Sequence, residues 1–306
     1  MTRITVVHQG ALGDTILLIP LFQSLRAQFG ASSLTIVTRT NFGQMLAMLG
    51  FVDAHASADD KEHTLWFGSP SAGKPNSRPV WADVDHLISA VSDGADDWAA
   101  NARALLGPRA VEGLHFFQPR AAPEYAGHVT QWHRDQLVWS GLPLEKPTLP
   151  LPRMNPDGAI VIHPGSGTDT KCWPRERFIS LGRSLKRLGI VPTFILGEAE
   201  QERWGRTVMD ELKEEFPWYL HMGLYELAER LSRARLYLGN DSGVTHVAAA
   251  MGVPVIALFG PSSDTQWGPV GPSVKILRAP APHGHVLEAL PEETVLQEVL
   301  AELRKL

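Results

Sequence analysis

Short continuous runs of β-branched and aliphatic residues alternate along this chain with longer segments whose apolar positions return every three or four residues. The clearest unit is residues 236–260. Apolar runs at 236–238 and 253–259 are bounded by Gly239 and Asn240 and by Gly252 and Gly260, as expected of parallel strands buried on both faces. Between them Val244, Val247, Ala248 and Met251 recur at helical spacing, so a helix of about two to three turns is predicted to open at Ser242 or Gly243.

The same alternation extends in both directions. Upstream it predicts strands at 3–8, 34–38, 86–91 and 113–117, with helices at 15–29, 42–49, 97–106 and 128–139. Residues 53–84 are rich in Asp, Ser, Pro and Gly and read as a loop-rich insertion, with at most a short strand at 64–67. Downstream, strands at 159–163, 191–196 and 274–277 alternate with helices at 174–188, 199–216, 224–234 and 291–306, Pro174 being expected at a first helical position. Strand-helix alternation of this kind builds doubly wound parallel sheets. Five prolines within 142–158 suit neither period, so the expected organisation is a domain at 1–145, a linker at 146–158 and a second α/β domain at 159–306. Ligands are expected in the cleft between the domains, at the carboxyl ends of the strands.

Composition narrows the field. The 306 residues are 44% hydrophobic and 20% charged, with a net charge of −5. Residues 1–150 hold 11 basic and 14 acidic side chains, so neither half is a basic domain and no nucleic acid partner is expected. The single cysteine, Cys172, excludes an internal disulfide framework. No apolar run is long enough to span a bilayer, and the amino-terminal one is too short for a signal peptide. A cytoplasmic monomer is expected, with peripheral contact at the inner membrane left open.

The candidate chemistry lies at predicted strand ends. A helix start lined by Asp241, Ser242 and Gly243 presents unpaired N–H groups that suit a phosphate, and His246 lies one turn further on. An isolated N-D-S-G is as readily a plain helix cap. Ser166, Gly167 and Lys171 form a polar loop, expected to be flexible, whose one cation suits a leaving pyrophosphate. Glu200 follows another strand and suits ribose hydroxyls, although an exposed helix-start glutamate is the commoner reading. Gly10, Gly13 and Asp14 make a tight turn with a carboxylate at a helix start; the dinucleotide fingerprint G-x-G-x-x-G is absent. Asp83-Val84-Asp85 spells D-x-D, and His283-Gly284-His285 is a second short motif; both read as bland, and no metal is expected.

Together, GALGDTILLIPLFQSLR, HPGSGTDTKCWP and LGNDSGVTHVAAAMGVPVIALFGPSSDTQWGP resemble the family 9 glycosyltransferases, the family of the ADP-heptose:lipopolysaccharide heptosyltransferases. The resemblance covers residues 3–271, with motif order and spacing kept. It implies a GT-B fold: two facing Rossmann-like, doubly wound domains with parallel sheets, the acceptor on the first and the sugar nucleotide on the second. It also implies inverting, metal-independent transfer of a sugar, a heptose from ADP-heptose, to a hydroxyl of a glycan or lipopolysaccharide inner-core acceptor. By the same resemblance Asp14 is the catalytic base and Lys171 the phosphate ligand. Glu200 binds ribose, Met222 lies against adenine, and Asp241, Gly243 and His246 bind the nucleotide, with Ser166 and Gly167 at the phosphates. The acceptor side is expected at Gly13, Arg120 and Arg134, with Arg39 and Arg78 as weaker candidates. An anionic inner-core acceptor calls for clustered cations, whereas here they are scattered through an acidic half. A nucleotide-sugar 2-epimerase of the same fold and a non-catalytic nucleotide-sugar binding protein remain alternatives.

Overall fold

A computed structural model describes residues 1–30, 32–69, 79–106, 111–147 and 158–306. The chain divides into two compact units, Met1–Thr148 and Leu149–Leu306. Most of the expected linker lies outside the described residues, as does Arg78.

The first unit carries five parallel strands: β1 (Thr2–Val7), β2 (Ser32–Thr38), β3 (Ala54–Ser57), β4 (His86–Ser89) and β5 (Leu114–Phe116). Their order is β3-β2-β1-β4-β5. Val6 and Val7 of β1 are enclosed between Ile36 and Val37 on β2 and Ile88 and Ser89 on β4, so the apolar residues of these strands gather where both faces are covered. The chain steps outward from β1 to β3 and then returns to the other side of β1. The reversal falls between β1 and β4, and the turn after β1 opens there.

The second unit has six strands in the order β11-β10-β9-β6-β7-β8, every pair parallel. They are β6 (Ile160–His163), β7 (Thr193–Leu196), β8 (Trp218–Leu220), β9 (Leu236–Asn240), β10 (Val255–Leu258) and β11 (Val274–Leu277). Its reversal lies between β6 and β9, so the two loops that leave these strands share one end of the sheet. Ile162, Phe178, Phe194, Leu238 and Ile256 belong to its core, all fully enclosed. Burying each such side chain contributes about 1.5–3 kcal/mol.

The helix expected at 15–29 is split into Leu12–Ile16 and Ile19–Phe29. Four further expectations change. Residues 53–84 are not simply a loop: Ala54–Ser57 is an edge strand, and residues 61–67 form a helical turn, Lys61–Thr64, running into a 3₁₀ turn, Leu65–Phe67, instead of a strand. Trp66 and Trp81 from this stretch enter the core, with the Trp66 ring 5.0 Å from Trp81 and 5.2 Å from Trp98. His63 is locked into the same cluster, donating from Nδ1 to the Ala58 carbonyl and accepting at Nε2 from Trp98 Nε1. Second, β8 was not expected. Its three residues are all half-buried at a sheet edge and follow Pro217, so they show neither alternation nor a continuous buried run. Third, Pro174 is the N-cap of the helix Arg175–Arg187, one position before its first turn. Fourth, the stretch Glu198–Glu215 is helical except at Gly205, whose φ of 73° breaks it.

Candidate functional site

At the reversal of the second sheet, the loop after β6 is bound to the end of β9 by polar side chains. Asn240 donates from Nδ2 to the Pro164 carbonyl at 2.6 Å and accepts the Trp173 N–H at Oδ1 at 3.0 Å, so one side chain holds both ends of the loop. Ser166 Oγ donates to the Asp241 carbonyl at 2.6 Å. Trp173, enclosed against Phe178 and donating from Nε1 to the Leu290 carbonyl, anchors the far end. The loop expected to be flexible is therefore tied at several points. Gly167 at its tip has open space where a side chain would begin.

The helix Gly243–Ala250 opens directly after β9, with Ser242 as its N-cap. Ser242 Oγ accepts the Thr245 N–H, so the capping role is real. The N–H groups of Gly243 and Val244 have no partner among the described residues and remain available to an anion. Asp241, only 6% exposed, sits between two basic side chains: Lys171 Nζ is 2.7 Å from Oδ2, and His246 Nε2 is 4.0 Å from Oδ1. Lys171 is therefore not a solitary loop cation. It is held at the helix start by Asp241, and an ammonium with three donors can keep that bond while reaching a phosphate oxygen. Beneath this, Tyr237 donates to or accepts from Thr245 Oγ1 at 3.0 Å, and burial pushes its phenol well above the usual range. Gly239 is obligatory: a side chain there would strike the Tyr237 hydroxyl and the His163 carbonyl.

Glu200 stands at the carboxyl end of β7 and is 4% exposed, against the expectation of an exposed glutamate. Its Oε2 accepts the Gly197 N–H at 2.7 Å, and Oε1 crowds the space beside Gly165, where any side chain would collide with the carboxylate. Behind it His163 is fully buried; desolvation pushes its imidazole below its usual range, partly opposed by the negative charge of Glu200. Met222 is half-buried just after β8, at the same end of the sheet. The structure thus brings Ser166, Gly167, Lys171, Asp241, Ser242, Gly243 and His246 together, with Glu200 and Met222 further along the same edge.

Two participants went unrecognised in the sequence. Asn240 is the polar residue that ends an apolar strand, which is the available signal. Arg203 reaches from the helix after β7 to donate to the Ser166 carbonyl at 3.1 Å and to pair with Asp169 at 3.0 Å, clamping the loop from the other side. Its place one turn after Glu200 puts both on one helical face.

In the first unit, Asp14 lies in a one-turn helix, Leu12–Ile16, that follows the turn after β1. Oδ2 accepts the Ala11 N–H at 3.1 Å. Gly13 is adjacent and half-buried. Arg134 is paired with Asp135 at 2.8 Å on its own helix, whereas Arg120 is exposed with no ion pair among the described residues. Arg39 lies over the Phe42 ring. The D-x-D carboxylates serve the opposite end of the sheet: Asp83 binds the Arg3 guanidinium at 2.6 Å and Asp85 accepts its N–H at 2.8 Å. The backbone of the 283–285 motif is held by Arg278, which donates to the Gly284 carbonyl.

Comparison with known proteins adds the following. The family model described as Glycosyltransferase family 9 (heptosyltransferase) matches residues 127–294, which includes the whole site of the second unit and excludes Asp14. Lipooligosaccharide heptosyltransferase 2 of Haemophilus influenzae is 29% identical over 113 residues, 35% of this chain and 32% of that protein. Lipopolysaccharide heptosyltransferase 3 of Escherichia coli is 29% identical over 119 residues, 37% of this chain and 34% of that protein. These alignments span about a third of the curated relatives' length. Among solved structures, a glycosyl transferase of family 9 from Veillonella parvula superposes with a TM-score of 0.75 at 19% identity, over 100% of this chain and 98% of the other. Heptosyltransferase WaaC of E. coli, solved with ADP, gives a TM-score of 0.70 at 20% identity, over 98% and 99%. The shared fold is GT-B, with two parallel-sheet α/β domains.

Proposed function

This chain belongs to glycosyltransferase family 9, and we propose that it transfers a heptose, with inversion, from ADP-heptose to a hydroxyl of a lipopolysaccharide-type glycan. The observation that carries the reading is the end of the second sheet, where two unpaired helix-start N–H groups, Lys171 and the Ser166–Gly167 loop converge beside Asp241. Such a set binds a diphosphate and stabilises the charge that grows on it as the anomeric bond breaks. The choice of ADP is supported by the ADP bound in E. coli WaaC, and the choice of heptose by the names of the curated relatives. In this proposal Glu200 receives the ribose hydroxyls and Met222 the adenine.

Inversion is an in-line displacement. An acceptor hydroxyl attacks the anomeric carbon while the nucleoside diphosphate leaves from the opposite face, so the hydroxyl needs a base and the leaving group a cation. Asp14 is assigned the proton, and Lys171 with the N–H groups of Gly243 and Val244 the departing diphosphate. A positioned carboxylate base contributes about 10²-fold to 10⁴-fold. No metal is assigned a role. Arg120, exposed beyond β5, is the first candidate for an acceptor phosphate or carboxylate. No helix among the described residues is long and apolar enough to cross a membrane.

The test has two stages. Thermal shift against ADP, UDP, GDP and dTDP should favour ADP, since a ligand at 100 times its dissociation constant stabilises by about 2.7 kcal/mol. ADP-heptose with heptose-deficient lipopolysaccharide should then release ADP and extend the glycan. ADP release with no labelled glycan, or epimerised sugar without acceptor, would overturn the assignment.

A further inference from the structure

Resting on the reading above, we propose that His8 is a further positioning residue for the transfer step, its buried Nε2–H serving as a neutral donor that orients the Asp14 carboxylate in the substrate-bound turn. His8 directly follows β1, its backbone N–H continuing the ladder to the Val37 carbonyl, and its ring is buried against the glycine turn. Nδ1 accepts the Gly10 N–H at 3.2 Å. Thr15 Oγ1 is 3.4 Å from the same nitrogen but donates to the Ala11 carbonyl, so it does not compete as a donor. With Nδ1 accepting, a neutral imidazole carries its proton on Nε2. That atom is fully buried and has no hydrogen-bond partner among the described residues.

A buried orphan donor is costly, and such groups call for an explanation. Its direction supplies one. A side chain added at Gly10 would begin 2.8 Å from His8 Nε2 and 2.8 Å from Asp14 Cβ, so the imidazole edge and the root of the acidic side chain flank one small notch. Asp14 Oδ2 accepts the Ala11 N–H; in the proposal, rotation about the Asp14 side-chain bonds turns the carboxylate toward the imidazole once substrate is bound. The donor is also uncharged. Burial, with the neighbouring His133, pushes His8 down to about 3. His133 in turn gives its Nε2–H to the Pro119 carbonyl at 3.0 Å, leaving its buried Nδ1 without a partner among the described residues. A neutral donor fixes the direction of a carboxylate while withdrawing less of its basicity than a cation would.

The two nitrogens can be separated by amide substitution. His8→Asn places an amide at the position of Nδ1 and nothing at Nε2; His8→Gln does the converse. The proposal expects His8→Asn to melt close to the wild type and keep the donor KM within about twofold, while kcat falls at least tenfold. His8→Gln should retain more turnover than His8→Asn even where it is less stable. Wild-type kcat in His8→Asn, or His8→Gln the less active of the two, overturns it, because a purely structural imidazole needs only the Gly10 bond. If the wild type transfers no sugar, it is the function proposed above that fails. Imidazole ¹⁵N spectra of the intact protein with ADP bound still judge His8: the Nε2–H signal should shift in Asp14→Asn, and an unchanged signal overturns the contact.

Discussion

The contact between Lys171 and Asp241 is the part of the site whose energetics are most open to measurement. The pair is 2.7 Å apart, with the carboxylate side chain 7% exposed and the lysine 36% exposed. At that separation the attraction is about 1.5 kcal/mol in water and about 6 kcal/mol at an effective dielectric of 20. Desolvation of the carboxylate offsets much of this, so a net coupling of about 2 kcal/mol is expected. Lys171→Ala removes the near partner of a buried carboxylate, with His246 4.0 Å away, and should cost about 2–3 kcal/mol of stability. Asp241→Asn keeps the shape and should cost about 1–2 kcal/mol. The double variant has no orphaned charge and should lose about 2 kcal/mol less than the sum of the two. Urea unfolding of the four proteins measures this directly. ADP titration adds a second readout: Lys171→Ala should weaken binding by about 3 kcal/mol, on the order of 100-fold, whereas Asp241→Asn should cost far less because the lysine remains. Stability losses that simply add, within about 0.5 kcal/mol, would show that the two charges do not support each other and would remove the electrostatic basis of the site.

Other outcomes can be stated briefly. Asp14→Asn should lower kcat by about 10²-fold to 10⁴-fold and leave ADP affinity unchanged in calorimetry; equal losses in Asp14→Asn and Lys171→Ala would contradict the division of roles. Gly10→Ala forces a methyl between His8 and Asp14 and should lower the melting temperature, with a stability cost of about 1–3 kcal/mol, along with activity; an unaffected variant would show that the notch is not tight. His8 and His133 are held down to about 3 and about 4, from an ordinary 6.5, chiefly by burial. The unfolded chain therefore binds more protons below pH 6.5, so their stabilisation is complete above that value, is lost as pH falls, and levels off near the folded values. Each contributes a slope of up to about 1.4 kcal/mol per pH unit inside the window. Denaturant unfolding between pH 7 and pH 4.5 should show the loss, and His133→Gln should reduce it; a profile identical to the wild type would mean that His133 is not held neutral.

Most of the fold was legible because parallel strands enclosed on both faces leave an unmistakable pattern. Leu236 to Leu238 and Val255 to Leu258 could hardly be anything else, and glycines at positive φ, such as Gly50 and Gly189, mark helix ends where expected. Legibility failed where a segment gains its order from distant partners. Trp66 and Trp81 lie in stretches rich in turn residues, and partners from distant segments hold them: Trp98 and Asn101 for Trp66, and Thr5 for Trp81. The strand Trp218–Leu220 failed for a related reason: an edge strand of three half-buried residues carries no period to read.

The site divides along the same line. The helix start proposed for the diphosphate is a local device, since a strand, a capping serine and a glycine specify it within a few residues, so the cap at Ser242 and the helix opening at Gly243 could be read directly. What holds that device in shape is not local. Asn240, Arg203 and Asp241 each act by touching residues 30 or more positions away, and their role appears only when β6 and β9 are placed side by side. The first unit shows the converse limit: Asp14 stood out as a carboxylate in a glycine turn, yet nothing in spacing or composition distinguished His8 from any strand-end histidine. Its significance rests on one nitrogen left without a partner, a property of three-dimensional packing alone. The proposed acceptor site is the least legible of all, because Arg134 is drawn off by its sequence neighbour Asp135, whereas Arg120 has no ion pair among the described residues. Arg120→Ala should therefore raise the acceptor KM severalfold while Arg134→Ala does not. Equal effects would mean that the Asp135 pairing has no bearing on which cation the acceptor meets.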